Sequence, residues 1–132
     1  MIGNSGAKTL LDTVIVAGYF NDDVPIQECL RGVTAYVAST TIGELYFGAY
    51  KSQRVTQNVQ NIRQFIQGVT VLPCTEVTAD WYGQIKIALR AVGRLIPEND
   101  IWIAAAAMEH RLFLATRDAH FNAIDKLTVE IW

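Results

Sequence analysis

The sequence is poor in the residues that would mark several protein classes outright. It has two cysteines, Cys29 and Cys74, among 132 residues. Two thiols cannot build a disulfide framework, and neither has a histidine nearby at metal-ligand spacing, so a structural zinc site is not expected either. A reducing cytoplasm is the expected location, with both thiols in segments that read as core-forming. No apolar run reaches the roughly 18 residues of a spanning helix. Residues 1–8 lack a basic start followed by an apolar stretch and a small-residue cleavage site, and read as a short flexible lead-in. An excess of basic charge is missing too: 11 Lys and Arg stand against 13 Asp and Glu, a net charge of −2. The bulk electrostatic signature of a nucleic-acid binder is therefore absent. Prolines number only three, and no linker, repeat or low-complexity tract divides the chain.

What is present fits a single globular domain over residues 1–132, with 51% hydrophobic and 18% charged residues. Apolar and β-branched runs predict strands at Thr9–Asp12, Ala35–Ser39, Val69–Leu72, Leu112–Ala115 and Leu127–Trp132. Helices are predicted between them: Thr13–Phe20, Pro25–Leu30, Thr40–Tyr50, and one carrying Val55, Val59, Ile62 and Ile66 that Gly68 closes. Thr75 caps a further helix with an apolar stripe of Val77, Trp81, Ile85, Leu89 and Val92, and Pro97 starts another, whose Ala104–Ala107 run allows close approach to a sheet. A short helical turn spans Arg117–Ile124. Alternating strands and helices argue for a parallel-rich sheet covered on both faces.

The stretch Leu10-Leu11-Asp12-Thr13-Val14-Ile15-Val16 organises the rest. An ionised carboxylate in so apolar a run is costly without a hydrogen bond, a cation or a metal beside it. Asp12 falls at the carboxyl end of the first strand, where open α/β sheets place their sites. Three more acids fall at strand ends or helix starts: Glu44, Asp100 and Asp118. Each has a local explanation. Asp12 or Asp118 serves as a cap, Thr41 and Glu44 form a capping box, and Asp100 favours a helix dipole. None of these explains why all four occupy what would be one edge of the sheet. Two carboxylates about 4 Å apart repel by roughly 4 kcal/mol at an effective dielectric near 20. Convergence therefore calls for protonation or a cation, and all-oxygen ligation selects Mg²⁺ or Mn²⁺. With four of the 13 acids gathered there, nine face the 11 basic residues of the remaining surface. Lys51, Arg54 and Arg117 are candidates to position a phosphate backbone, or are simply solvated.

These stretches also resemble a known family. Leu10-Leu11-Asp12-Thr13, Ser39–Leu45 with Gly48 and Ala49, Pro97–Ala105 and Ala115–Phe121 follow the order and spacing of the PIN-domain ribonucleases, specifically the VapC-type toxins of bacterial toxin–antitoxin pairs. Asn58, Ile62, Phe65 and Ile66 fit the family's connecting helix. The resemblance runs from about Thr9 to Trp132. It implies a PIN-like three-layer α/β/α sandwich with a central, mainly parallel sheet. It implies Mg²⁺- or Mn²⁺-dependent endonuclease activity on RNA, a homodimer, and a small antitoxin protein that blocks the site. It carries over Asp12, Glu44, Asp100 and Asp118 as the acidic metal-site residues, with Thr13 or Thr116 as a hydroxyl neighbour.

One position departs from the family's pattern. Val14 stands where a polar residue, often Asn, is usual, which removes a hydrogen bond to a ligating acid or water. Val14 is the sole support for a rival reading, a catalytically weak or inactive PIN-like domain acting as a protein- or RNA-binding module. It also argues against an aspartyl-nucleophile phosphatase, which needs a second acid at that position. His120 is expected to make a structural hydrogen bond and His110 to complement a helix end. Trp81, Trp102 and Trp132 are candidates for base stacking, with core or dimer packing the stronger reading for Trp81. Ile15, Val16, Tyr19 and Phe20 either receive an antitoxin helix or belong to the domain's own core.

Overall fold

The computed structural model describes residues 6–132. In chain order the elements are β1 (Ala7–Leu11), α1 (Thr13–Phe20), α2 (Val24–Leu30), β2 (Val33–Ala38), α3 (Ser39–Tyr50), α4 (Val55–Gln67), β3 (Thr70–Leu72), α5 (Glu76–Ala91), α6 (Glu98–His110), β4 (Phe113–Thr116), a 3-10 turn (Ala119–Ala123) and β5 (Val129–Ile131). The five strands form one sheet in the order β3-β2-β1-β4-β5, and every pairing is parallel. The result is the expected PIN-like α/β/α sandwich.

β1 is central because it is apolar on both faces. Thr9, Leu10 and Leu11 are all fully buried, the pattern of a parallel strand covered on two sides. Strand alternation sends Leu10 and Leu114 to one face, where they pack with Ile85 and Leu89 of α5 and Ile101, Ile103 and Ala104–Ala107 of α6. Leu11, Val37 and Ala115 go to the other face and meet Ile15 and Val16 of α1, Ile42 of α3 and Phe65 of α4. The four alanines of α6 are buried at 0–4% exposure, so the helix lies close against the sheet. Ile15 and Val16 are also fully buried, which assigns them to the core; Phe20 is half-buried against the same cluster, and Tyr19 is exposed.

Three details differ from the sequence expectation. Of the expected lead-in, residues 1–5 lie outside the described residues. Ala7 and Lys8 belong to β1, because Val33 and Thr34 of β2 extend the ladder to them. Cys29 is half-buried and Cys74 exposed, both as free thiols. The stripe of α5 is shorter than its apolar spacing implies: Val77 is 52% and Val92 66% exposed. Thr78 takes the place beside Val77 that faces inward, and Val92 lies beyond the last helical residue.

Thr78 earns its buried position through hydrogen bonds. It forms a reciprocal cap with Thr75, and its hydroxyl donates to Glu109 Oε1 at 2.6 Å, tying α5 to α6. Thr78→Val keeps the volume but removes the hydroxyl that accepts from the Thr75 N–H and donates to Glu109, leaving a half-buried carboxylate short of a donor. A loss of about 1–3 kcal/mol is expected, read as a lower denaturant midpoint at unchanged slope.

Candidate active site

β1 and β4 are neighbours, yet the chain leaves β1 over one face of the sheet and enters β4 from the other. A cleft opens at such a reversal, beyond the carboxyl ends of the strands. Asp12 follows β1 directly, and Asp118 lies two residues past β4. Helices run back against parallel strands, so the N-termini of α3 and α6 reach the same edge, with Asp100 in the first turn of α6 and Glu44 in the second turn of α3. A cavity of about 430 Å³ lies there, lined by Asp12, Thr13, Val14, Ala17, Asp100, Arg117 and Asp118. A larger hollow of about 1070 Å³ lies elsewhere, lined by Tyr19, Phe20, Leu30, Phe65 and Val69 among others. It holds no acidic cluster, so the chemistry singles out the smaller one.

Asp12 is 5% exposed. Its main-chain N–H continues the ladder by donating to Ala115 O at 2.9 Å. Its side chain caps α1, accepting from the Thr13 N–H at 2.8 Å, and accepts from the Thr116 hydroxyl at 2.7 Å. The capping explanation and the site explanation thus both hold for this residue. Burial pushes the Asp12 carboxyl above its ordinary value and the negative Asp118 adds to that, while Thr116, Thr13 and His120 act in the opposite direction. Asp100 is pushed up as well, first by burial and next by the charge of Asp12, with His120 opposing. Asp12, Asp100 and Asp118, from three separate elements, line this one cavity.

Asp118 is held from two sides. It caps the 3-10 turn by accepting from the His120 N–H at 3.0 Å, and its own N–H donates to Thr116 Oγ1 at 3.0 Å. Thr116 is fully buried and therefore links Asp12 to Asp118. Glu44 stands beside this group. Its Oε1 accepts from Asn99 Nδ2 at 3.1 Å and from the Thr13 hydroxyl at 3.5 Å. The capping box is not formed: α3 has no side-chain cap, and the Thr41 hydroxyl is 3.0 Å from that of Thr13.

The basic candidates are spread out. Arg117 lines the cavity, but its Nη1 is 2.9 Å from Asp23 Oδ2 and its Nε donates to the main-chain oxygen of Trp132 at 3.0 Å. Lys51 follows α3 with its ammonium 5.0 Å from the centroid of Phe47, and Arg54 precedes α4. Trp81 and Trp132 pack partly buried against the two core clusters, and Trp102 stacks on Tyr82 at 4.2 Å between centroids.

Sequence reasoning missed two participants. Asn99 precedes Asp100 and looks like an ordinary first-turn residue. His120 was expected to make one structural contact, and it touches two acids: Nε2 is 2.8 Å from Asp100 Oδ2 and Nδ1 is 3.0 Å from Asp118 Oδ2. The spacing Asp118-Ala119-His120 is the only sequence signal for this.

Among the described residues, no three carboxylate, imidazole or thiol side chains are gathered closely enough to hold a metal ion as they stand. An open set suits Mg²⁺ or Mn²⁺ all the same, since Mg²⁺ dehydrates reluctantly and takes one or two carboxylates along with water and substrate oxygens. Burial raises the Asp12 and Asp100 carboxyls, and the Asp12 charge raises Asp100 further, so a cation beside them is favoured once they are ionised.

Fold and site together define an α/β domain whose acids gather at a strand-order reversal. The sequence matches the family model for the PIN domain over residues 9–127. It is 38% identical over 97 residues to Ribonuclease VapC2 of Haemophilus influenzae, covering 73% of this chain and 74% of that protein. It is 32% identical over 97 residues to the tRNA(fMet)-specific endonuclease VapC of Shigella flexneri, again covering 73% and 74%. The fold superposes on the DNA-bound VapBC structure from Salmonella typhimurium with a TM-score of 0.88 at 28% identity, covering 96% of this chain and 98% of that one. The chain belongs to the PIN-domain family, and within it to the VapC ribonucleases.

Proposed function

We propose that the protein is an endoribonuclease that hydrolyses RNA phosphodiester bonds with Mg²⁺ or Mn²⁺, and that it acts as a toxin held in check by a cognate antitoxin protein. The observation that carries this reading is the meeting of Asp12, Asp100 and Asp118, from three elements, at one cavity of a VapC-family fold. The names of its relatives, ribonucleases and a tRNA-specific endonuclease, support the activity. A VapBC complex at close structural similarity supports the antitoxin.

In this reading Asp12, Asp100 and Asp118 hold the cation. When bound, the cation supplies positive charge that offsets the carboxylates and stabilises the charge developing on a phosphodiester under attack. Thr116 fixes Asp12 relative to Asp118. Glu44, steadied by Asn99 and Thr13, orients the attacking water from the side of the cavity. Arg117 meets the RNA backbone at the rim, exchanging Asp23 for a phosphate. Lys51 and Arg54 lie farther out and extend the contact. The antitoxin seats on the hollow lined by Tyr19, Phe20, Leu30 and Phe65, the surface left over from the early helices once Ile15 and Val16 are in the core. The working form is a homodimer, and the location is the cytoplasm, where RNA is available; no helix among the described residues is long and apolar enough to cross a membrane.

The test is incubation of purified, antitoxin-free protein with mixed cellular RNA in Mg²⁺, in Mn²⁺ and in EDTA. Cleavage at few sites with either ion and none in EDTA is expected. Undiminished cleavage in EDTA contradicts the metal dependence. No cleavage with either ion by a folded sample favours the binding-module reading, for which the exposed apolar Val14 at the cavity is the specific observation.

A further inference from the structure

His120 is more firmly held than a surface histidine. Its N–H is bonded to Asp118 Oδ1 at 3.0 Å. Its ring packs 4.8 Å, centroid to centroid, from Phe121, which is fully buried. The ring therefore has a fixed seat on the 3-10 turn. From that seat Nε2 reaches Asp100 Oδ2 at 2.8 Å, and Nδ1 reaches Asp118 Oδ2 at 3.0 Å. Asp100 comes from α6 and Asp118 from the end of β4. Thr116 already links Asp12 with Asp118; His120 adds the link from Asp118 to Asp100. Without such a link, two like charges on separate elements would move apart. We propose that His120 is a positioning residue: by touching one oxygen of Asp100 and one of Asp118, it sets their separation for a divalent cation and leaves the second Asp100 oxygen to the ion.

The inference rests on the metal-site reading above and concerns how that site is built. Groups that orient metal-ligating side chains typically contribute 10–100-fold to metal affinity. The experiment is a Mn²⁺ titration of the intact protein, with free Mn²⁺ counted by electron paramagnetic resonance, for the parent, His120→Ala, His120→Gln and Asp12→Asn. Thermal unfolding of each without metal is recorded in parallel. His120→Ala is expected to weaken Mn²⁺ binding about tenfold. His120→Gln, which keeps one contact, falls between it and the parent. A merely structural role would lower the metal-free unfolding midpoint and leave the affinity of the folded protein unchanged. His120→Ala binding Mn²⁺ as tightly as the parent, or more tightly, overturns the inference. Should His120→Ala not fold, an unchanged affinity in His120→Gln overturns it equally. Failure of the metal-site reading looks different: the parent binds no Mn²⁺, or Asp12→Asn binds it undiminished, and the inference falls with it.

Discussion

Asp12→Asn is expected to abolish metal-dependent RNA cleavage, by about a hundredfold or more, while the domain stays folded. The loss follows from removing the most buried of the three carboxylates that face the cavity, in a setting where fixed charge is worth several kcal/mol to a phosphoryl transition state. The retained fold follows from what the side chain touches. An Asn oxygen still accepts from the Thr13 N–H and still caps α1. The contact to Thr116 changes, because the Asn amide presents a donor where the carboxylate oxygen accepted from that hydroxyl, and about 1 kcal/mol of hydrogen bonding is at stake. Against this, burial disfavours the Asp12 charge, so removing it returns stability. An unfolding midpoint within a few degrees of the parent is expected, alongside absent cleavage. Unchanged cleavage by a folded Asp12→Asn protein would remove Asp12 from the mechanism.

The second large effect is stabilisation by the ion itself. Asp12 and Asp100 both have carboxyls raised above the ordinary 3.8 in the folded state. The folded chain thus holds more protons than the unfolded chain between that value and the raised ones. Stability rises with pH only where the unfolded state binds more protons, so here the sign is reversed. The favourable contribution of these groups is present below about pH 4, is lost as pH climbs through the raised values, and stays lost at neutral pH. A cation should restore it where the carboxylates are ionised. At a hundred times its dissociation constant, Mn²⁺ adds about 2.7 kcal/mol, on the order of 10 °C in Tm for a domain of this size. The shift should be present at neutral pH, vanish below about pH 4 where the acids are protonated, and be reversed by EDTA. A Tm indifferent to Mn²⁺ at neutral pH would argue for a site without metal chemistry.

Much of this architecture is legible in the sequence because the physics is local. Leu10-Leu11 with Leu114-Ala115 marks strands buried on both faces, and Gly68 and Pro97 bound their helices. Asp12 and Asp118 stand out because an acid directly after an apolar strand has few cheap explanations. Other features depend on where separate elements meet. Thr41 and Glu44 have capping-box spacing, but Thr41 turns to Thr13 and Glu44 to Asn99, partners set by the packing of α3 against α1 and α6. Arg117 looks free in the sequence because Asp23, its partner, lies 94 positions earlier in a turn between two helices. His120 shows its second contact only once α6 brings Asp100 beside the 3-10 turn. On α5, apolar periodicity overstates burial at both ends, where Thr78 takes the inward place beside Val77 and Val92 lies past the last helical residue.

The central claim is that Asp12, Asp100 and Asp118 form one divalent-cation site at the reversal between β1 and β4. A crystal of the antitoxin-free protein soaked in Mn²⁺ tests it most directly, through the anomalous scattering of the ion. The account predicts a peak in the cavity bounded by Asp12, Asp100 and Asp118, with carboxylate oxygens at roughly 2.0–2.3 Å, as hard divalent cations require. A cavity without a peak at saturating Mn²⁺, or a peak confined to other acids of the surface, would contradict it.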